Sequence, residues 1–160
     1  MPSPNQHREA TSAAAVEDLG TVVIQKRLFL SNWYENAARD LLPPDHLRQL
    51  ERIREETREE IDRTHVLVER WAREEPNVRE LRESSKRARS ISTHEFLKTV
   101  IDAKEATANA YERAAVAAPT EELRREFLML AGIDFAHARL VQEILLRIES
   151  DHPKQPRGEP

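Results

Sequence analysis

The sequence has no cysteine, and it has only three glycines in 160 residues. The missing cysteines exclude disulfides, thiolate nucleophiles and cysteine-based zinc or iron–sulfur sites, and they fit a reducing cytosol. No apolar run approaches the roughly 18 residues of a membrane-spanning helix, and the polar start of the chain does not resemble a signal peptide. Runs of alternating β-branched and aromatic residues, which strands require, are also missing. We therefore expect a soluble, cytoplasmic protein with no membrane partner.

The chain is instead rich in charge and in residues that favour helices. Charged residues make up 34% of the sequence and hydrophobic residues 39%, and alanine, leucine, glutamate and arginine are abundant. The net charge of −4 and the pI near 5.9 argue against a dedicated nucleic-acid surface. The length fits one domain with a single core. The composition predicts an all-α domain that does not bind nucleic acid.

Hydrophobic periodicity divides the chain into four helices. Residues 1–17 lack this period and are predicted to be a flexible tail, 18–150 a four-helix bundle, and 151–160 a second flexible tail. The segment 74–91, with its proline, serines and basic residues, is predicted to be a long crossover between helices 2 and 3. Short loops after helices 1 and 3 would give two antiparallel hairpins joined by that crossover.

Residues that stop and start helices mark the ends of the four segments. Helix 1 is expected to end near Leu41, before a pair of prolines, and Asp45 is expected to cap helix 2. Ser92 and Glu95 form the pattern of a capping box at the start of helix 3. Thr120 is the expected N-cap of helix 4, which follows with acids in its first turn.

An internal repeat is the most informative pattern in the chain. In each half a basic residue precedes a tyrosine by seven positions, which places both on one helical face, and an Asp-x-x-His pair follows on the next helix. The first copy is Arg27, Tyr34, Asp62 and His65, and the second is Lys104, Tyr111, Asp134 and His137. An Asp-x-x-His pair alone is common by chance, so the interpretation depends on the agreement of the two halves.

These residues resemble the ferritin-like superfamily, and rubrerythrin-type proteins in particular. The similarity covers roughly residues 20–148 and is most specific in the second half, from Lys104-Glu105-Ala106 through Tyr111–Ala115 and Phe127 to Asp134-x-x-His137-Ala138. It implies a four-helix bundle with crossover topology. In the family, helices 1 and 3 each supply a Glu and helices 2 and 4 each supply Glu-x-x-His to two iron or manganese ions.

This chain departs from the family pattern at both Glu positions, where Arg27 and Lys104 stand. Both family Glu-x-x-His carboxylates are present as the shorter Asp62 and Asp134. Replacing two Glu and two divalent metals by two cations preserves the charge of the site, so we predict that Arg27 and Lys104 lie inside the bundle and pair with the two aspartates. Unusual substitute metal ligands would be Glu35, Glu105 and Glu112, and Tyr34 and Tyr111 are expected beside the site.

The sequence leaves three hypotheses open. The first is a ferritin-like protein with a degenerate, metal-free site, no cofactor and a structural or interaction role. The second is an iron- or manganese-dependent oxidase or peroxidase, or an iron-handling protein, that uses Asp62, His65, Asp134 and His137. The third is an unrelated helical bundle. A homodimer is predicted from the extra apolar surface of helix 1 at Leu28, Phe29 and Trp33, and no other protein partner can be identified.

Overall fold

The computed structural model describes residues 1–36, 42–79, 81 and 92–151, without the side chains of residues 32 and 34–36. These residues form four helices and no strands, which confirms the all-α prediction. The helices are α1 (Pro4–Asn36), α2 (Pro44–Glu74), α3 (Thr93–Ala117) and α4 (Glu121–Asp151). None of these helices is both long enough and apolar enough to cross a membrane. The predicted end of helix 1 at Leu41, most of the crossover and residues 152–160 lie outside the described residues.

Two of the three predicted helix starts are confirmed. Ser92 caps α3, accepting a hydrogen bond from the backbone N–H of Glu95, whose side chain accepts one from the Ser92 backbone. The Thr120 hydroxyl accepts a hydrogen bond from the backbone N–H of Leu123 at the start of α4. The predicted Asp45 cap is wrong, because the residue before the helix is Pro43 and α2 begins at Pro44, two residues earlier than an Asp45 cap requires. Proline is favoured at the first position of a helix, because a backbone N–H there would have no acceptor within the helix.

The prediction of a flexible tail over residues 1–17 is also wrong, because α1 already begins at Pro4. Ser12, Ala15 and Val16 are buried in this stretch. Asn77, which follows α2, donates a side-chain hydrogen bond to the backbone carbonyl of Glu9. The small side chains of this segment therefore belong to the core, where tertiary packing supplies the stability that weak local periodicity did not suggest.

The core consists of two apolar clusters, one toward each end of the bundle. In α3 the first cluster takes residues 110–118 and the second takes 96–101. In α4 the first takes 123–131 and the second 141–148. Stacked aromatic rings mark each cluster, Tyr111 on Phe127 in the first and Phe29 on Phe96 in the second. Between the two clusters lies a short section of the bundle where the buried side chains are polar.

The helices pack as α3 on α4, α1 on α3, α1 on α2 and α2 on α4. At least one ion pair bridges each of these pairs of helices. These ion pairs include Arg113–Asp18 between α3 and α1, Lys26–Glu60 between α1 and α2, Arg63–Glu126 and Arg70–Glu122 between α2 and α4, and His94–Glu149 between α3 and α4. The exposed pairs contribute little individually. The buried Lys26–Glu60 pair leads to the candidate site.

Candidate functional site

The polar section of the core brings together one or more charged or ionisable residues from every helix. Lys26 comes from α1, Glu60 from α2, Lys104 from α3, and Asp134 and His137 from α4, and each is at most 4% exposed. We call these five residues the lysine–carboxylate cluster. Apolar clusters above and below exclude water from it, which strengthens every electrostatic interaction inside and makes an unpaired charge costly.

Asp134 is the centre of the cluster. The Lys26 ammonium group donates to both of its carboxylate oxygens, at 2.8 and 2.9 Å, and the Lys104 ammonium group donates to Oδ1 at 3.1 Å. The Thr107 hydroxyl donates to Oδ2 at 2.6 Å. A fully buried carboxylate is therefore satisfied by two cations and a hydroxyl, which keep it ionised against the cost of burial.

Both lysines also contact Glu60 from α2. Lys26 donates a hydrogen bond to Glu60 Oε2, and the Lys104 nitrogen lies 3.6 Å from the same oxygen. Lys104 further donates to the Thr57 hydroxyl at 2.8 Å, and that hydroxyl donates onward to the Ile53 carbonyl. The two ammonium groups thus bridge two carboxylates from different helices.

His137 links the cluster to the surface of the bundle. Its Nε2 lies 2.6 Å from Oε2 of Glu56, a half-exposed carboxylate one turn before Glu60. Its Nδ1 lies 3.4 Å from Glu60 Oε1 without a hydrogen bond. Among the described side chains, His137 Nδ1 and Glu60 Oε1 are both buried without a hydrogen-bond partner.

Tyr111 closes the cluster on the side of the first apolar region. Its hydroxyl lies 2.6 Å from the Thr64 hydroxyl, which in turn donates to the Glu60 carbonyl. Because Thr64 has one proton and gives it to that carbonyl, Tyr111 is the donor in the Tyr111–Thr64 bond. The Lys26 ammonium group also lies 5.2 Å from the centre of the Tyr111 ring, close enough for a cation–π interaction.

The two lysines differ in how firmly they hold their protons. Burial lowers the pKa of Lys26, but the negative charges of Tyr111 (once ionised), Asp134 and Glu60 outweigh it and the net pKa is raised. Burial and the repulsion of Lys26 lower the pKa of Lys104 despite the same two carboxylates. The contacts explain this difference, because Lys26 donates to both Asp134 oxygens and to Glu60, whereas Lys104 donates to only one of these carboxylate oxygens.

The two buried carboxylates, Glu60 and Asp134, also differ in pKa. Burial raises the pKa of Glu60 to about 7, against the attraction of Lys26 and Lys104. Burial also acts to raise the pKa of Asp134, but the attraction of Lys26 and Lys104 outweighs it and the net pKa lies well below the usual range. Asp134 is therefore the permanent anion of the cluster, and Glu60 is the group that takes up a proton near neutrality.

The structure brings together only part of the predicted site. Lys104 and Asp134 form the predicted buried ion pair, and His137 lies beside them. The prediction that Arg27 and Asp62 lie inside the bundle is wrong, because both are exposed. The reason is helical geometry: Arg27 is about 100° around α1 from Lys26, and Asp62 is about 160° around α2 from Glu60.

The remaining predicted residues stay outside the cluster or outside the described part of the chain. His65 is half-buried on α2 and does not join His137 in the buried set. Glu105 and Glu112 are exposed on α3, so neither is placed to replace a missing ligand. The side chains of Tyr34 and Glu35 are not among those described, so the expected place of Tyr34 beside the site stays a prediction.

The residues that the sequence analysis missed are Lys26 and Glu60, and the sequence contains a signal for each. Lys26 precedes Trp33 by seven residues, just as Lys104 precedes Tyr111. Trp33 is buried, so matching aromatic residue to aromatic residue, instead of tyrosine to tyrosine, gives the observed register. Glu60 lies at helical spacing between two buried threonines, Thr57 and Thr64, a polar stripe on the core face that the Asp-x-x-His pattern concealed.

The cluster also contains the atoms of a metal site. Glu60, Asp134 and His137 each offer one ligand atom, and these three atoms lie within 4.8 Å of one another. However, the ammonium groups of Lys26 and Lys104 lie within about 3 Å of Asp134. A divalent ion there would meet two fixed positive charges, which oppose it by several kcal/mol at an intermediate effective dielectric. The arrangement fits the two ammonium groups better than it fits two metal ions.

No protein-family model, curated protein or solved structure matches the chain. The function must therefore be argued from the cluster itself.

Proposed function

We propose that this protein is a ferritin-like four-helix bundle in which the Lys26 and Lys104 ammonium groups replace the two metal ions, and that it has a structural or interaction role. The observation that carries the proposal is the pair of buried ammonium groups that share Asp134. The sequence predicted one such cation in each half of the chain. The chemistry is retained with Lys26 in place of Arg27 and Glu60 in place of Asp62.

The order of contacts along the helices supports the crossover topology. Between α3 and α4, His94 meets Glu149, Lys104 meets Asp134, and Tyr111 stacks on Phe127, so residue numbers rise on one helix as they fall on the other. In the contacts of α1 with α2, of α1 with α3 and of α2 with α4, residue numbers likewise rise on one helix as they fall on the other. Such contacts support a parallel arrangement of α2 and α3, and parallel helices that follow each other in sequence require a long crossover.

The charges of the cluster support a site that is complete without metal. Two ammonium groups, the Asp134 carboxylate and the Glu56 carboxylate at the edge nearly balance when Glu60 holds a proton, and Glu60 has a pKa of about 7. Each buried charge has at least one partner of opposite sign within 3.1 Å. Since buried ion pairs fix geometry more reliably than they add stability, the cluster would hold the four helices in one register.

Metal analysis tests this proposal directly. Protein purified from cells grown with added iron and manganese should contain neither metal in stoichiometric amount, and added Mn²⁺ should leave its thermal midpoint unchanged. The double variant Lys26→Glu/Lys104→Glu restores two acids facing the cluster. It should bind Mn²⁺ and be stabilised by it through mass action.

A matched control is Arg27→Glu/Lys104→Glu, which has the same net charge but places one acid on the exposed face of α1. This control should gain much less from Mn²⁺. Native protein that carries one or two metal ions per chain, lost on substitution of His137, would overturn the proposal.

The alternative function is a single-metal oxidase or peroxidase centred on Glu60, Asp134 and His137. The observation that favours it is the unsatisfied pair Glu60 Oε1 and His137 Nδ1, 3.4 Å apart, which one ion could bind together. Metal entry would have to displace or deprotonate Lys104, the lysine whose pKa is lowered. This alternative predicts that Lys104→Met raises the affinity of the purified protein for Mn²⁺, whereas the metal-free proposal predicts only a loss of stability.

A further inference from the structure

The outer face of α4 carries an apolar surface that the bundle does not cover. Leu128, Met129 and Phe135 are 49%, 53% and 39% exposed, and Gly132 and Ala136 lie between them on the same side of the helix. We call these five residues the α4 outer patch. Exposed apolar side chains that are grouped on one face of a helix often mark an interaction surface.

Gly132 indicates how close a partner would approach. A Cβ atom added to Gly132 meets nothing within 4 Å, so the fold of the single chain does not require glycine there. Glycine in the middle of a helix costs about 1 kcal/mol relative to alanine. Gly132 and Ala136 are one turn apart, and two small residues at this spacing permit the backbones of two helices to come close together.

The charges that flank the patch would pair with charges of opposite sign if two copies of α4 met in opposite directions. Glu121 and Arg125 lie on its N-terminal side, and Glu143 and Arg147 lie on its C-terminal side. If two copies of α4 cross in opposite directions with Gly132 facing Ala136 of the other copy, Arg125 lies opposite Glu143 and Glu121 lies opposite Arg147. Twofold symmetry forms each pair twice. A parallel pairing would set like charges opposite each other.

We propose that the protein forms a twofold homodimer in which the α4 outer patches of two copies pack against each other in opposite directions. The interface is isologous, as in most protein dimers. It differs from the interface that the sequence predicted on helix 1, because Phe29 and Trp33 are buried inside the single chain at 6% and 4% exposure. The proposal does not depend on whether the lysine–carboxylate cluster binds metal.

The first test is the oligomeric state of the full chain by sedimentation at micromolar to tens of micromolar concentration. Gly132→Leu fills the close-contact position without a clash inside the chain. It should raise the dimer dissociation constant by at least about tenfold, the equivalent of about 1.4 kcal/mol. The control Val116→Arg changes another exposed residue, 81% exposed on α3, and should leave the dimer intact. A protein that stays monomeric throughout, or a dimer insensitive to Gly132→Leu, would overturn the proposal.

The second test reads the direction of pairing. The chain has no cysteine, so Arg125→Cys and Glu143→Cys introduce single, unambiguous thiols. Under mild oxidation a mixture of the two variants should form a covalent dimer, and Arg125→Cys alone should not. Arg125→Glu should weaken the dimer, and Arg125→Glu/Glu143→Arg should restore it. Cross-linking of Arg125→Cys to itself would indicate parallel helices and contradict the proposal.

Discussion

The second half of this protein contributes three residues to the buried cluster, and the first half contributes two. In α3 and α4 the predicted Lys104, Asp134 and His137 all lie in the buried cluster. In α1 and α2 the cluster residues are Lys26 and Glu60, which lie one and two positions before the predicted Arg27 and Asp62. The comparison teaches that a repeated motif identifies which helices carry a site, whereas the packing of each helix decides which of several adjacent charges turns inward.

The difference between the halves is sharpest at the two predicted aspartates. Asp134→Asn removes the permanent anion that both ammonium groups share, so it should destabilise the fold by about 3–5 kcal/mol. The equivalent change in the first half, Asp62→Asn, alters an exposed residue and should stay within about 0.5 kcal/mol of the wild type. Urea unfolding at pH 7 measures both, and equal losses would mean that the halves are not distinguished in this way.

The adjacent cations of α1 provide the next comparison. Lys26→Met leaves Asp134 with Lys104 and lets Glu60 take up a proton, so the expected loss of about 3 kcal/mol is at the lower end for a broken buried pair. Arg27→Met changes the exposed neighbour and should cost less than about 0.5 kcal/mol. Chemical denaturation of the two variants side by side distinguishes them. A larger effect at Arg27 would place the functional cation where the repeat predicted it.

A pH dependence separates Glu60 from the other carboxylates. Burial raises the pKa of Glu60 to about 7 from 4.5, so the folded chain binds this proton more tightly than the unfolded chain. The contribution is therefore fully present below pH 4.5 and is lost as the pH rises through 7, on the order of 3 kcal/mol in all.

This contribution is measured as the difference in unfolding free energy between wild type and Glu60→Gln, followed from pH 4.5 to 7.5. The unfolding free energy of the wild type relative to that of Glu60→Gln should fall as the pH rises. The control Glu59→Gln changes an exposed acid on the same helix and should give a flat difference. A flat difference for Glu60→Gln as well would show that Glu60 titrates normally.

The smallest expected effect concerns the hydrogen bond between the Tyr111 and Thr64 hydroxyls, one of those that join the two halves. Tyr111→Phe removes the hydroxyl that donates to Thr64 and should cost about 1–2 kcal/mol, because Thr64 is fully buried beside it. Thr64→Val should cost a similar amount. In a double-mutant cycle the two changes together should cost clearly less than the sum of the single changes. Additive losses would show that the hydroxyls do not interact in solution.

Much of the second half could be predicted from sequence because its signals agree with one another. The capping box at Ser92 indicates where α3 begins. The stripe that only Lys104 interrupts indicates the buried face of α3, and the Asp134–His137 spacing indicates that of α4. In α1 the apolar residues are spread more widely, so two stripes are available, one through Lys26 and one through Arg27. Only the first also buries Leu19 and Trp33, and local periodicity does not reveal which stripe the other helices will cover.

The sequence by itself determined that the chain is helical, where α3 and α4 begin, and that cations interrupt the core faces of α1 and α3. These properties depend on local spacing, capping and composition, which act within a few residues. The tertiary structure decided that Lys26 and Glu60, not Arg27 and Asp62, face Asp134. One residue along a helix turns a side chain by about 100°, so only the packing of all four helices could select which charges are buried.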